Sequence, residues 1–359
     1  MMELIQYEAT TDKVHKTPLL IVPPWINKYY ILDLRPDNSL VKWLTEQGHT
    51  VFMISWVNPD ETLRDAGFDR YVQDGVLAAL TQIEKATGEP SVNTIGYCIG
   101  GTLLAITLAH LADTGNADKI KSSTFLTTLL DFEHAGELKL FIDEAQIDFL
   151  EGQMKARGYL DALYLQRTFS SLRANDLIWS FVVNNYLMGK EPSAFDLLYW
   201  NNDSTNLPMR MGVDYLRWMY LNNDLIVPGK LTICGTAIDL GKIRTPAYFL
   251  STHDDHIAPW HATFSGPALL GGDCVFTLAK SGHIAGVVNP PSANKYGYYT
   301  SDKTGGSAEE WLQGAIDHNG SWWTHWQEWE EKYAGPKMAA RSINNALSPA
   351  PGEYVRKKI

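Results

Sequence analysis

The chain has 359 residues, 45% of them hydrophobic, and a formal net charge of −11. That length and apolar fraction support one large domain, or one domain carrying an insertion, and exclude a disordered chain. The acidic balance, with no lysine- or arginine-rich run ahead of the closing RKK, excludes the basic face that a nucleic-acid partner requires. The start lacks a basic, apolar leader, and no apolar run reaches the length of a membrane span, so a soluble, cytoplasmic protein without a transmembrane segment is expected. Cys98, Cys234 and Cys274 are odd in number and lack framework spacing, which fits a reducing compartment with no structural disulfide. Cys234 and Cys274 read as core.

In chain order, strand-like runs fall at 19–22, 51–57, 92–97 and 124–130, with helix-like stretches between them, notably 71–86. The alternation predicts an α/β fold with a mostly parallel sheet. After Asp131 the rhythm stops. Residues 131–244 read as amphipathic helical segments and loops rich in Trp, Tyr, Leu and Asn, which predicts an inserted cap splitting the core into 1–130 and 245–335. Strand character resumes at 246–251 and 275–278, each run leading into a polar loop. Tryptophans and acidic residues at helical spacing predict one terminal helix over 307–333 packed on the sheet. Residues 336–359 read as a coil-like tail.

The chemistry starts at Cys98, in the run Asn93-Thr-Ile-Gly-Tyr-Cys-Ile-Gly-Gly. Glycines two residues to either side, after a β-branched stretch and before an apolar helix, form a nucleophile elbow with sulfur in place of oxygen. The turn is so tight that side chains at the glycine positions would strike the neighbouring strand and helix. The following helix points its positive end at the sulfur and favours the thiolate. A buried core position is the ordinary fate of a free cysteine; here strand, glycine spacing and helix agree on the other reading.

Two later loops supply partners. The strand at 246–251 runs into Thr-His-Asp-Asp-His-Ile-Ala-Pro-Trp, and the next into Ser-Gly-His-Ile-Ala-Gly, so the order is nucleophile, acid, histidine, as in α/β-hydrolases. His283 is the expected base, and Asp255 the expected carboxylate, with its neighbour Asp254 as the rival. One oxyanion donor is expected from the backbone N–H of Ile99. The second is expected from the loop after the first strand, where Pro23 and Pro24 have no N–H, leaving Trp25 or Ile26, with Ile26 preferred. His253, Asp254, Asp255, His256 and His261 contain metal-ligand types, but adjacent loop side chains rarely converge on one ion, and no HExxH helix is present. No metal or cofactor is therefore expected, and His256 reads as support beside the acid.

With these residues assembled, the chain resembles the catalytic domain of the poly(3-hydroxyalkanoate) synthases, most closely class I, across nearly its whole length. The resemblance is carried by PLLIVPPWINKYYILDL, GYCIGG, YWNNDSTNLP, GKIRTPAYFLSTHDDHIAPW, SGHIAGVVNPP and APGEYV. It implies that Cys98 carries the acyl group, that Asp255 and His283 complete a triad, and that Trp200 falls in a cap motif associated with dimer contacts. It further implies an (R)-3-hydroxyacyl-CoA substrate, released CoA, a homodimer formed through the cap, and association with polyhydroxyalkanoate granules. Members of this class carry a substantial region ahead of the catalytic domain, and this chain begins almost at that domain. Sulfur suits the chemistry: passing an acyl group from a CoA thioester to Cys98 preserves a thioester until a hydroxyl attacks. Two rivals remain at the level of sequence. One is a thiol hydrolase of the same fold acting on esters, lactones or thioesters; the other is a silent interaction protein using its aromatic cap.

Overall fold

The structure, a computed structural model, describes residues 1–172, 178–191, 196–303, 305–344 and 346–358. Its centre follows from period-2 patterning. Along the strand Leu19–Val22, Leu20 and Val22 enter one buried cluster, and Leu19 and Ile21 enter another on the opposite face. Apolar residues on both faces are what a strand buried between two helical layers requires.

Nine strands form the main sheet: β1 (Met2–Gln6), β2 (Leu19–Val22), β3 (Val51–Trp56), β4 (Val92–Tyr97), β5 (Ile120–Leu126), β6 (Ala247–Thr252), β7 (Cys274–Ala279), β8 (Tyr298–Thr300) and β9 (Ile316–His318). Their spatial order is β1-β3-β2-β4-β5-β6-β7-β8-β9. The six strands from β3 to β7 in that order are mutually parallel, and antiparallel β1 closes one edge while β8 and β9 close the other. Chain direction across the sheet reverses at β2, which lies between β3 and β4. Such a switch point opens a crevice at the carboxyl ends of the strands. This is the α/β-hydrolase arrangement expected from the sequence.

Helix α1 (Ile99–Asp113) packs one face through Ile99, Leu103, Leu104 and Ile106. No other main-sheet strand lies between β5 and β6 among the described residues; that stretch holds helices, including α2 (Asp196–Asn202), and short ladders such as Tyr159–Leu160 with Leu207–Pro208. The opposite face is covered by α3 (Trp323–Ala334), whose Trp323, Trp326 and Trp329 are buried at helical spacing. Their indoles are satisfied as well as packed: Trp323 Nε1 donates to Val287 O (2.9 Å) and Trp326 Nε1 to Thr124 Oγ1 (2.8 Å).

Three local expectations need correction. The single helix over 307–333 is in fact a helix at Ala308–Gln313, strand β9, and then α3. Gly314 closes the first helix and Gly320, at φ 87°, turns the chain back, so helical spacing of tryptophans spans a break that the glycines impose. The run at 124–130 pairs as Ile120–Leu126, stopped by Thr127 at φ 44°. The tail is also more structured than coil: Lys337–Ala339 pairs with Lys13–His15.

Glu330 on α3 is buried against β5, where its carboxylate accepts from Ser122 Oγ (2.9 Å). Asn93 borders it without a hydrogen bond of good geometry, and the second carboxylate oxygen stays unpaired. Burial pushes the Glu330 carboxyl up to about 8. With a folded value above the unfolded 4.5, the folded state holds the extra proton, so stability is lost as pH rises from about 4.5 toward 8. Glu330→Gln is therefore expected to raise Tm by several degrees at pH 9 and to change it little at pH 5, as read by calorimetry.

Candidate active site

Three parallel strands deliver the three candidate residues to one end of the sheet. Cys98 follows β4, Asp255 lies three residues beyond β6, and His283 lies four residues beyond β7. The switch point at β2 places the loop bearing Trp25 and Ile26 alongside, since Val22 pairs with Gly96.

Cys98 sits at φ 53° and ψ −125°, a conformation costing a non-glycine residue about 1–3 kcal/mol, and its N–H donates to Leu126 O at 2.8 Å. The glycine spacing now has a contact-level reason. A Cβ on Gly100 would run into the Val22 carbonyl, one on Gly96 into the Cα of Gly101, and one on Gly101 into the Thr128 side chain. Strand, turn and helix can approach this closely only without those side chains.

His283 Nδ1 and Asp255 Oδ2 are 2.7 Å apart, and Cys98 and His283 line the same cavity, close enough for the sulfur to act on the imidazole. Asp255 Oδ2 further accepts from Thr252 Oγ1 (3.1 Å), while Oδ1 accepts the backbone N–H groups of Ile257 and Ala258, both at 2.9 Å. This saturated carboxylate is buried, yet its proton affinity is lowered: burial alone would raise it, and the His283 charge with these donors outweighs that. His283 shows the reciprocal effect. Burial pushes it down, but the Asp255 carboxylate first and the Cys98 sulfur second lift it to about 10. The Tyr97 ring stacks on the imidazole at 5.6 Å between centroids.

The two aspartates left open by the sequence point apart. Asp254 is exposed and pairs with His253 Nδ1 at 2.8 Å, while it borders the cavity that His283 also lines. His261, further along the same stretch, pairs with Glu309 at 3.3 Å. Among the described residues, no group of three or more His, Cys, Asp or Glu is arranged to hold a metal ion. His256 lines a cavity that also touches Cys98 and His283.

Two cavities meet at the sulfur. The first, of about 520 Å3, is lined by Cys98, Ile99 and Ile26 together with apolar residues of the 131–244 stretch, among them Leu138, Leu150 and Leu165. The second, of about 470 Å3, shares Ile26, Cys98 and Ile257 and is walled by α2 through Leu197, Leu198 and Trp200. Ile99, as the first residue of α1, and Ile26 thus both border the space beside Cys98. Trp25, the alternative donor, has its side chain packed in the core, and its carbonyl accepts from Thr205 Oγ1 at 2.6 Å.

Sequence reasoning missed Thr252, Tyr97 and Tyr215; Tyr215 lines the first cavity beside Tyr220, a residue of the aromatic cluster that composition alone marks as pocket or partner surface. Tyr97 adjoins the elbow and was within reach of inspection. Tyr215 comes from the 131–244 stretch, about 120 residues away in sequence, and no local pattern gives it a role at Cys98.

Residues 1–44 match the family model described as "Poly-beta-hydroxybutyrate polymerase (PhaC) N-terminus". The poly(3-hydroxyalkanoate) polymerase of Methylorubrum extorquens is 52% identical to this chain, over 100% of it and 60% of that protein. The PhaC polymerase subunits of Rhizobium meliloti and Cupriavidus necator are 49% and 46% identical, each over 99% of this chain and over 58% and 62% of themselves. The chain spans about three fifths of the length of these relatives. Along its whole length, therefore, this chain is similar to about three fifths of each of these poly(3-hydroxyalkanoate) polymerases.

Proposed function

We propose that the protein polymerises (R)-3-hydroxyacyl-CoA into polyhydroxyalkanoate, releasing CoA, with Cys98 as the acyl-carrying nucleophile. The observation that carries this reading is the His283–Asp255 hydrogen bond beside Cys98 on the wall of an apolar chamber. The Cys98 sulfur attacks the thioester carbonyl, the oxygen takes negative charge facing the N–H groups of Ile99 and Ile26, and CoA leaves as its thiol with the proton held by His283. The sulfur is neutral once acylated. One of the two charges lifting His283 is then gone, so its proton affinity falls and it can take a proton from an incoming 3-hydroxyl. That hydroxyl oxygen attacks the Cys98 thioester, an oxoester forms, and the sulfur is freed to attack the CoA thioester of the lengthened chain. Asp255 orients the imidazole throughout.

Residues 131–244 act in this reading as a cap. Their apolar side chains over the sulfur favour a hydroxyl acceptor over water. The same stretch exposes large apolar residues, including Phe141, Trp179, Tyr186 and Tyr199, which supports the homodimer through the cap and contact with the polymer granule in the cytoplasm. No helix among the described residues is long and apolar enough to cross a membrane.

The test separates polymerase from thiol hydrolase. With (R)-3-hydroxybutyryl-CoA, CoA release is expected together with insoluble polyester, and His283→Gln loses both. Butyryl-CoA, lacking the hydroxyl, is expected to acylate Cys98 and release about one equivalent of CoA before stalling. Continuous conversion of butyryl-CoA to free acid, with no polymer from the natural substrate, would make water the acceptor and the protein a hydrolase.

A further inference from the structure

The last described residues of the chain are held at several points. Glu3, on β1, accepts the backbone N–H groups of Glu353 and Tyr354, each at 3.0 Å. Val355 packs against the buried cluster containing Trp200. The segment then meets Lys28, whose Nζ donates to Val355 O and Lys357 O, both at 2.9 Å, and to Asp203 Oδ1 at 2.6 Å. With its side chain 4% exposed, this ammonium needs all three of its protons bonded, and two of the three acceptors are carbonyls of the tail. Just beyond, Lys358 Nζ lies 5.1 Å from the centroid of the Tyr199 ring on α2.

Lys28 is also the junction between two walls of the candidate site. Its carbonyl accepts from Trp200 Nε1 at 2.7 Å, and the second oxygen of Asp203 accepts from Tyr30 Oη at 2.9 Å. Asn27 forms a bridge with Ser204. The loop carrying Ile26 is thereby stitched to the end of α2, and the tail closes the stitch at Lys28. Ile26 borders both cavities at the sulfur, and α2 walls the second.

We propose that residues 353–358 are a strap whose capture by Lys28 fixes the Ile26 loop and α2 around Cys98, which makes Lys28 a positioning residue for acyl transfer. The inference rests on the acyl-transfer reading above. An oxyanion donor contributes about 10²–10³ in rate, and a displacement of about 1 Å costs on the order of 10². Loss of the strap should therefore be felt in the step that develops an oxyanion. A displacement reaction at the sulfur that forms no oxyanion should not feel it.

Two variants test this: Lys28→Met, and a chain shortened to end at Pro351, which keeps the Lys28–Asp203 pair. Acylation by (R)-3-hydroxybutyryl-CoA is compared with alkylation of Cys98 by iodoacetamide. In both variants kcat for CoA release is expected to fall about 10- to 100-fold, with KM within about threefold and alkylation within about twofold of the parent. A peptide of residues 352–359 added to the shortened chain is expected to restore acylation. Should Lys28→Met fail to fold, the shortened chain carries the test. Unchanged acylation in the shortened chain overturns the strap, and so does a parallel fall in acylation and alkylation, which marks a merely structural role. Absence of acylation in the parent chain would instead overturn the proposed function.

Discussion

Cys98→Ala is expected to abolish covalent labelling by acyl-CoA and to lower turnover by on the order of 10⁴-fold or more, because a nucleophile and its base act as one unit. Intact-protein mass spectrometry after mixing with (R)-3-hydroxybutyryl-CoA gives the readout. The other thiols serve as internal controls. Burial pushes Cys234 up to about 11 and Cys274 up to about 12, so both stay protonated at neutral pH, and their alanine variants should label like the parent. Cys98→Ser should be severely slowed, since a hydroxyl gives up its proton far less readily than a thiol. Undiminished labelling of the Cys98→Ala protein would remove the sulfur from the mechanism.

The second large effect is expected at Asp255. Asp255→Asn should lower turnover by about 10³- to 10⁴-fold, as loss of the orienting acid does in the serine proteases, while Asp254→Asn should be mild. The pH dependence carries the sign. In the parent, His283 is lifted above its unfolded value of 6.5 to about 10. Its ion pair therefore stabilises the fold fully below pH 6.5 and fades as the pH rises toward 10. Removing the Asp255 charge leaves burial dominant, so the imidazole is driven neutral, and stability should instead fall as the pH drops below 6.5. Imidazole resonances followed by NMR, with Tm measured across the same pH range, check both statements. A crippled Asp254→Asn protein beside an active Asp255→Asn protein would reverse the assignment.

Local sequence carried much of this site because the elbow is a local device. The Gly96-Tyr-Cys-Ile-Gly100 spacing after a β-branched run encodes strand, strained turn and helix within a dozen residues, and close backbone packing tolerates nothing but glycine there. The acid and histidine loops were found for a similar reason, each following an apolar run that became β6 or β7. Edge elements were harder to see. β1, β8 and β9 are short and partly exposed, so their apolar pattern is weak, and tryptophan spacing across Gly314 and Gly320 imitates one long helix.

By itself the sequence determined the fold class and marked the candidate thiol, its candidate histidine and the loop that holds the candidate acid, because periodicity and turn chemistry are written in neighbouring residues. Only the tertiary structure decided between Asp254 and Asp255, since adjacent loop residues point in different directions and just one meets the imidazole. It also decided which residues of the 131–244 stretch line the space beside the sulfur, and that a tail of ordinary composition is held by Glu3 and Lys28. The tail contacts join residues 327 to 351 positions apart. No local pattern encodes such pairings; they arise when the sheet order brings distant loops to one edge and buried polar groups such as the Lys28 ammonium must find partners there.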